Sequence, residues 1–440
     1  MLSSFNFMPE HKFNYGDKIR IKTSGEVIEG TILESPDNEF HLIKLKSGYN
    51  IGVRKEGVLN IEVIGKSSEG GEENRGRKIE IKSNSKLPKI DVIMTGGTIS
   101  SRVDYKTGGV TSLTRPEDFF RFYPELFSIV DVNRVEIPFM KLSENMNFKD
   151  WKAIAEVVEK SLNDPEVEGV ILTHGTDTLH YTAAALSFFF PNPNKPIVLT
   201  FSQRSTDRAS SDASLNLQCA ARVAISNIAE VVIVGHANTN DDFCYVLYGN
   251  KVRKMHSSSR VAFEAVNVGP LARVTTDKFE KIGIFRERPR KTEKNEKVKS
   301  DIVFNEKVAL LKFYPGQNPD ILDYYMKNYS GLIIEGTGMG NIAVEGSDGW
   351  IQQIKKGINN GLMIFMTTQT IHGRVNPFVY STMRELQKAG VIFLEDMLSE
   401  VALVKLGWVL GHKTWSKDGE AIRKKMLENV SGELNPRILK

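Results

Sequence analysis

The chain has 440 residues, which is too many for one ordinary hydrophobic core, so we expect roughly two to four domains. Hydrophobic residues make up 40% of it and charged residues 25%, a balance typical of a folded, soluble protein. The net charge of +4 is too small for the strongly basic surface of a protein that binds nucleic acid without help from another chain. It does not exclude a nucleic acid that is held mainly by a partner protein.

Cysteine content and hydropathy limit the expected compartment. Cys219 and Cys244 cannot build a disulfide framework or a zinc cluster, which favours a reducing environment. The N-terminus lacks the basic and apolar regions of a signal peptide, and the most apolar stretch, residues 183–191, is far shorter than a membrane span. We therefore expect a cytoplasmic protein without membrane association.

Residues 1–65 are predicted to form a small antiparallel β-barrel. Polar and apolar residues alternate in three short segments separated by Gly, Pro, Asn and Ser: residues 17–22, 27–33 and 40–45. A docking or spacer module is favoured over a binding site for this barrel. Residues 66–87 are rich in Gly, Ser and charge, which predicts a mobile linker.

Residues 88–285 show the alternation of a large α/β domain. Four short apolar runs predict strands at residues 90–94, 169–173, 196–200 and 231–235. Segments with helical spacing lie between them, at residues 151–162, 179–190 and 212–227. Apolar strands that alternate with helices indicate a parallel sheet covered on both faces.

A second, smaller α/β domain is predicted over residues 307–440. Strand-like runs at 308–313, 331–335 and 362–367 alternate with helix-like segments at 320–328, 350–359 and 380–388, and residues 400–410 predict a C-terminal helix. Residues 286–306 before this domain are predicted to be a charged linker, and its basic run at 286–299 is interpreted as a solvated loop rather than a nucleic-acid contact.

Two strand ends carry reactive side chains. Thr95-Gly-Gly-Thr98 follows the first strand of the large domain, and Thr173-His-Gly-Thr-Asp-Thr178 follows the next. Ligands of open parallel sheets bind outside the carboxyl ends of the strands. The first motif lacks the spacing of a dinucleotide fingerprint and the lysine of a P-loop, so a nucleotide site is not supported. A hydroxyl beside backbone N–H groups suits attack on a carbonyl, whereas the alternative is that Thr98 only caps a turn.

The second motif has several interpretations. Asp177 is a candidate cap for the following helix, with Thr176 and Thr178 as alternatives. The motif also places a hydroxyl next to a carboxylate, which suits catalysis. His174 suggests a triad with these neighbours, but adjacent residues rarely point at one atom, so a structural hydrogen bond is favoured for it.

The motifs MTGGTIS (94–100) and THGTDT (173–178) resemble the two signatures of the type I L-asparaginase family. LSENM (142–146), SQRSTDR (202–208) and RKMHSS (253–258) resemble further family segments in the same order. The resemblance covers roughly residues 88–415. It implies an asparaginase-like α/β fold, with a large parallel-sheet domain and a smaller C-terminal α/β domain, here preceded by the β-barrel.

Further segments resemble one branch of this family. The N-terminal barrel and linker, SQRSTDRASSDASLNL (202–217), QTIHGRVN (369–376) and EDM (395–397) resemble the D subunits of archaeal glutamyl-tRNA(Gln) amidotransferases. This implies a glutaminase whose ammonia passes to a partner, the E subunit of the amidotransferase, which amidates Glu-tRNA(Gln). It also implies a homodimer inside a heterotetramer. ATP and Mg would be used by the partner, which would also hold most of the tRNA(Gln), and no cofactor or metal is expected in this chain.

The resemblance also implies roles for individual residues. It assigns catalysis to Thr98, Thr176, Asp177 and Lys254. As a hypothesis, Thr98 attacks the side-chain amide, Thr176 relays a proton with Lys254, and Asp177 orients the lysine. Both signatures carry a candidate nucleophile, so the choice between the two threonines stays open. A Lys254–Asp177 ion pair that only organises the site is the alternative.

Substrate contacts are expected from the same loops. Ser143 would hold the α-carboxylate and Asp177 the α-ammonium, while the backbones of Gly97 and Gly175 would lie against the amide. The remaining candidates are Tyr105, matched to a family tyrosine, and Glu144, which stands where many asparaginases have Gln. The charge of Glu144 leaves open the preference between asparagine and glutamine.

Two rival functions are retained. A free-standing asparaginase would hydrolyse amides without a partner. A non-catalytic tRNA-binding or scaffold protein is the rival from another class, and the presence of both signatures and the lysine argues against it.

Overall fold

The computed structural model describes residues 13–35, 38–45, 50–66, 86–103, 110–112, 120, 122–206, 208, 210–287, 297–344 and 349–437. Most of the predicted linker at 66–87, the run 288–296 of the predicted charged linker, and Tyr105 lie outside these ranges. No helix in the described ranges is long and apolar enough to cross a membrane.

The N-terminal region is a five-stranded antiparallel sheet with the strand order β4-β3-β2-β1-β5. The strands are β1 (Lys18–Thr23), β2 (Val27–Leu33), β3 (Phe40–Leu45), β4 (Asn50–Arg54) and β5 (Val58–Gly65). Their alternation buries one set of side chains in a small core that includes Ile19, Ile21, Ile32 and Ile43. The three predicted strands are confirmed, and β4 and β5 form the two edges of the sheet.

The large domain is built on a mixed sheet of eight described strands, in the order β17-β16-β13-β12-β11-β10-β6-β9. Its parallel part consists of β6 (Lys89–Met94), β9 (Asp131–Glu136), β10 (Val167–Thr173), β11 (Ile197–Thr200) and β12 (Val231–His236). The strands β6, β10, β11 and β12 are nearly all buried because helices cover both faces, as the continuous apolar runs predicted, whereas the edge strand β9 is mostly half-buried.

Antiparallel strands extend the sheet beyond the prediction. They are β13 (Cys244–Tyr248), β16 (Ala272–Val274) and β17 (Phe279–Lys281). Two hairpins stand apart from the sheet: β7 (Ser101–Val103) with β8 (Val110–Ser112), and β14 (Val252–Lys254) with β15 (Phe263–Ala265). Strands of three residues leave too short a pattern to be recognised from sequence.

Within the described ranges, three helices cover the large sheet: α1 (Phe148–Leu162), α2 (Leu179–Phe189) and α3 (Ala213–Ala224). Helix α1 begins with a capping box, in which the side chain of Asn147 accepts a hydrogen bond from the helix and that of Asp150 accepts one from the backbone of Asn147. Helix α2 is apolar on nearly all sides, which is typical of a helix packed between two layers.

The C-terminal domain has a parallel sheet with the order β18-β19-β20-β21. Its strands are β18 (Val308–Lys312), β19 (Gly331–Gly336), β20 (Met363–Thr368) and β21 (Ile392–Phe393). Its helices are α4 (Ile321–Asn328), α5 (Trp350–Asn359), α6 (Ser381–Lys388), α7 (Ser399–Gly411) and α8 (Gly419–Leu427). The described residues thus form the predicted α/β domain, and β21 and α8 lie outside the predicted ranges.

The two α/β domains share one hydrophobic core. The Phe188 ring of α2 stacks on Trp408 of α7, with ring centroids 5.7 Å apart. The end of the predicted charged linker joins this interface, because Phe304 stacks on Phe148 with centroids 5.0 Å apart. Asn163 donates a hydrogen bond to the carbonyl of Val298, so this part of the segment packs on the large domain rather than remaining in solvent.

Phe188→Ala is expected to lower the free energy of unfolding by about 3–5 kcal/mol, because it leaves a cavity between the two domains. Phe378→Ala is the matched control: that ring is 60% exposed, and its loss should change stability by about 0.5 kcal/mol or less. Chemical denaturation of both variants measures the difference. Equal stabilities would contradict a core shared by the two domains.

Candidate active site

The loop after β6 is fixed to the end of β10. Thr95 is fully buried, and both its backbone N–H and its hydroxyl donate to the carbonyl of Thr173, at 3.2 and 2.8 Å. Ser100 Oγ lies 3.3 Å from Thr173 Oγ1. Two neighbouring parallel strands therefore end side by side, and the signature loops begin at the same edge of the sheet.

Glycine is required where these loops meet. Gly97 has a φ of 80°, and a Cβ on it would lie 2.4 Å from both N and Cα of Gly175. Gly96 has a φ of 111°, and its Cβ would lie 2.3 Å from the carbonyl oxygen of Lys141. The TGGT loop thus lies in backbone contact with the THGTDT loop and with a third segment, which contains Lys141.

That third segment brings Ser143 to the second signature. The Thr178 hydroxyl donates to the backbone carbonyl of Ser143 at 2.7 Å, and the Thr178 N–H lies 3.4 Å from Ser143 Oγ. A Cβ on Gly175 would lie 2.8 Å from Ser143 Oγ. Ser143 is buried, whereas the adjacent Glu144 is exposed and has no hydrogen bond to another described side chain.

Lys254 reaches the second signature from the β14–β15 hairpin. Its Nζ donates to Thr176 Oγ1 and to Asp177 Oδ1, both at 2.8 Å. The Lys254 side chain is 12% exposed, whereas that of Asp177 is 63% exposed. Thr176 is buried. One nearly buried ammonium therefore links a hydroxyl and a carboxylate that are consecutive in sequence, and the carboxylate keeps an open face towards solvent.

Thr98 begins a short 3₁₀ turn over residues 98–100, directly after Gly97. It is half-buried, and its hydroxyl makes no hydrogen bond to any described residue. The turn is held instead by Ser101, whose hydroxyl donates to the carbonyl of Gly97 at 2.8 Å. Because the Thr98 hydroxyl does not cap the turn, it is free to contact a ligand.

His174 has a structural role, as favoured from sequence. Its Nδ1 donates to the carbonyl of Gly175 at 2.7 Å, and its Nε2 lies 2.8 Å from Thr182 Oγ1. Burial lowers the pKa of His174 to about 4, so the ring is neutral near pH 7. Neither nitrogen hydrogen-bonds to Thr176 or Asp177, which argues against the triad interpretation.

The helix-capping interpretation of Asp177 is also corrected. Helix α2 begins after Thr178, whose side chain does not cap the helix because it donates to Ser143. Asp177 instead pairs with Lys254. Sequence reasoning overlooked the roles of Thr95 and Thr178 in holding the loops together, although both lie within the signatures. The described residues contain no group of three or more His, Cys, Asp or Glu arranged to hold a metal ion.

Three family models match consecutive parts of the chain. The model described as "GatD N-terminal domain" matches residues 13–64. "Asparaginase, N-terminal" matches residues 89–286, and "Glutaminase/Asparaginase C-terminal domain" matches residues 307–426. The three matched ranges correspond to the N-terminal β-sheet and to the two α/β domains of the structure.

Curated relatives and solved structures agree with these models. The glutamyl-tRNA(Gln) amidotransferase D subunits of Thermococcus kodakarensis and Pyrococcus furiosus are each 43% identical to the chain. Both alignments cover 98% of this chain, and they cover 96% of the first relative and 97% of the second. The thermostable L-asparaginase from Thermococcus kodakarensis superposes with a TM-score of 0.68 at 30% identity, covering 79% of this chain and 100% of its own. L-asparaginase I from Vibrio cholerae gives a TM-score of 0.67 at 26% identity, with 79% and 99% covered. The chain therefore belongs to the asparaginase family of amidohydrolases, and within it to the family of glutamyl-tRNA(Gln) amidotransferase D subunits.

Proposed function

We propose that this chain is the glutaminase subunit of a tRNA-dependent amidotransferase. It hydrolyses glutamine to glutamate and ammonia, and the ammonia passes to a partner subunit that converts Glu-tRNA(Gln) to Gln-tRNA(Gln). The observation that carries the proposal is the meeting of two signature loops at Gly97 and Gly175, with Lys254 bonded to Thr176 and Asp177 beside them. The name of the relatives supports the amidotransferase context.

The proposed reaction starts with Thr98. Its Oγ attacks the side-chain carbonyl carbon of glutamine, and backbone N–H groups of the two glycine-containing loops hold the oxyanion. Collapse of this intermediate breaks the C–N bond and releases ammonia. Water then attacks the acyl-threonine, releasing glutamate and restoring the hydroxyl. Thr98 directly follows Gly97, where the two signature loops meet, and this position supports its assignment as nucleophile.

Proton movement is assigned to Thr176, Lys254 and Asp177. In this relay path the Thr176 hydroxyl accepts the proton of the nucleophile and passes its own proton to the leaving nitrogen, while Lys254, which donates to Thr176 Oγ1, orients that hydroxyl. Asp177 holds the lysine at 2.8 Å, and so fixes the direction of that path. In the alternative, the ion pair only organises the loop, and turnover would then survive loss of the lysine.

Substrate orientation is assigned to the second signature loop and to the segment that contains Ser143. The exposed carboxylate of Asp177 suits the α-ammonium of the substrate, and the hydroxyl of Ser143 suits its α-carboxylate. Glu144 would repel that α-carboxylate, so we place its side chain towards the ammonium. The backbones of Gly97 and Gly175 lie against the amide, and Tyr105 is retained as a candidate contact outside the described residues.

The complex is proposed from the relatives rather than from contacts. The E subunit of the amidotransferase would bind ATP and Mg, hold most of the tRNA(Gln) and receive the ammonia, while this chain needs no cofactor of its own. Two copies of this chain would form a homodimer inside a heterotetramer. The relatives' name includes a tRNA and the word subunit, which supports a partner chain.

Thr176→Val and Lys254→Ala are each expected to lower glutaminase turnover by about 10³-fold or more, because residues that act as a unit lose nearly all activity together. The double variant should lose little beyond either single variant. Ammonia release from glutamine by the purified complex measures this. Lys278→Ala, at a side chain that is 73% exposed, is the control. Near-normal turnover in either site variant would refute the role assigned to the second signature.

Gly97→Ala tests the contact between the loops. Its Cβ would overlap Gly175, and the combination of φ 80° and ψ 176°, which essentially only glycine adopts, costs another residue about 1–3 kcal/mol. We expect glutaminase turnover to fall by about 10²-fold, because the two signatures would be forced apart. Gly269→Ala is the matched control, since its Cβ would meet no atom within 4 Å. If both variants are equally active, the loops need not be in contact for catalysis.

A free-standing asparaginase is the second candidate, favoured by the superposition on L-asparaginases. The two functions differ in substrate and in partner dependence. We expect glutamine to be preferred over asparagine, and turnover to rise when the E subunit and tRNA(Gln) are added. Hydrolysis of both amides by the isolated chain and by the complex measures this. Efficient asparagine hydrolysis that is unaffected by the partner would favour the free-standing enzyme.

A further inference from the structure

Lys254 belongs to a hairpin that lies outside the large sheet. It is the last residue of β14, and the hairpin returns through β15. Lys251 precedes β14, and Asn267 follows β15 after one intervening residue, so these two residues form the base of the hairpin. The backbone N–H of Val266 donates to the carbonyl of Lys251 at 2.8 Å and closes that base.

The base is held by Asp396 of the C-terminal domain. Lys251 Nζ donates to Asp396 Oδ2 at 2.7 Å, and both side chains are almost completely buried, at 0% and 1% exposed. Asn267, which has a φ of 60°, exchanges hydrogen bonds with the backbone of Gly373 at 3.0 and 2.9 Å. Both ends of the hairpin are thereby attached to loops of the C-terminal domain.

The C-terminal segment completes this arrangement. The backbone N–H of Asn435 donates to Asp396 Oδ1 at 2.9 Å, and its Nδ2 donates to Asp396 Oδ2 at 2.7 Å. The same Nδ2 lies 3.2 Å from the carbonyl of Asn267. Both carboxylate oxygens of Asp396 therefore have partners, and Asp396 connects the hairpin base to the C-terminal segment.

A fully buried ion pair is weak evidence for a contribution to stability, because desolvation of the two charges offsets their attraction. Its geometric consequence is stronger, since Asp396 bonds to Lys251 and to Asn435 at the same time and so links the three segments that carry these residues. Lys251 lies three residues before Lys254, or roughly 10 Å along an extended strand. Arg253 also contacts Glu400 at 3.2 Å, so the hairpin would remain docked if Asp396 were altered.

We propose that Asp396, together with Lys251, Asn267 and Asn435, positions the β14–β15 hairpin so that Lys254 Nζ meets Thr176 and Asp177. No member of the cluster is among the residues assigned to the substrate or to the reacting atoms. It acts through the placement of the lysine, and it deepens the proposed function, on which it rests. The C-terminal domain, which contributes none of the predicted catalytic residues, thereby becomes part of the catalytic apparatus.

Asp396→Asn in the full chain, assayed with its partner subunit, tests the proposal. We expect kcat for glutamine to fall by about 10–100-fold, because a shift on the order of 1 Å in a catalytic group has that effect. KM should change less than kcat, since Ser143 and the glycine backbones assigned to substrate binding do not contact Asp396. Asn435→Ala removes the side-chain amide that donates to Asp396 and to the carbonyl of Asn267. It keeps the backbone N–H of residue 435 and the ion pair, so it should lower kcat less than Asp396→Asn does.

The matched control is Asp91→Asn. Asp91 is also a fully buried carboxylate held by a side-chain amide, from Asn133 at 2.8 Å, and by a cation, from Arg134 at 2.7 Å. It lies in β6, before the signature loop, and the hydrogen-bond partners given above for its side chain belong to β9 rather than to the hairpin. We expect it to lose stability as Asp396→Asn does, with kcat and KM unchanged. Equal kcat in the two variants would overturn the positioning role.

The double variant Lys251→Met, Asp396→Asn separates placement from stability. It removes both buried charges, so we expect the melting temperature to recover towards that of the wild type while kcat stays low. If kcat recovers together with the melting temperature, the cluster is only structural and the proposal fails. The wild-type complex is assayed first, because absence of glutaminase activity there would refute the proposed function itself, independently of any effect of Asp396.

Discussion

The close approach of Gly97 to Gly175 is the constraint on which the rest of the site depends. Two loops from neighbouring parallel strands touch through their backbones, at a distance that leaves no room for a Cβ. The buried Thr95 joins them through two hydrogen bonds to one carbonyl. Because strands and loops are locked together at this point, residues far apart in the chain can share a small site.

The site is completed by a segment that the parallel sheet cannot supply. Lys254 comes from a hairpin that follows the antiparallel strand β13, and it approaches Thr176 and Asp177 from outside the strand ends. The mostly exposed carboxylate of Asp177 pairs with the nearly buried ammonium of Lys254, so the buried charge has a partner of opposite sign. The parallel sheet thus presents the hydroxyls, while a less regular element presents the cation.

Part of this arrangement could be predicted from sequence. The apolar runs at 90–94 and 169–173 fix two buried strands, and their ends place Thr98 and Thr176 at one edge of the sheet. The hairpin could not be predicted from its pattern, since β14 and β15 have three residues each. Lys254 was identified only by resemblance, because its contact with Asp177 spans 77 residues of sequence and depends on the folded chain.

The cluster around Asp396 was unpredictable for a related reason. A single Asp in the EDM segment carries no periodic signal, and its partners Lys251 and Asn435 lie 145 and 39 residues away. The sequence does predict a second α/β domain, but not why the large domain needs it. The structure supplies a physical reason: a hairpin outside the sheet has few strand neighbours of its own, so its orientation must be fixed by the domain against which it packs.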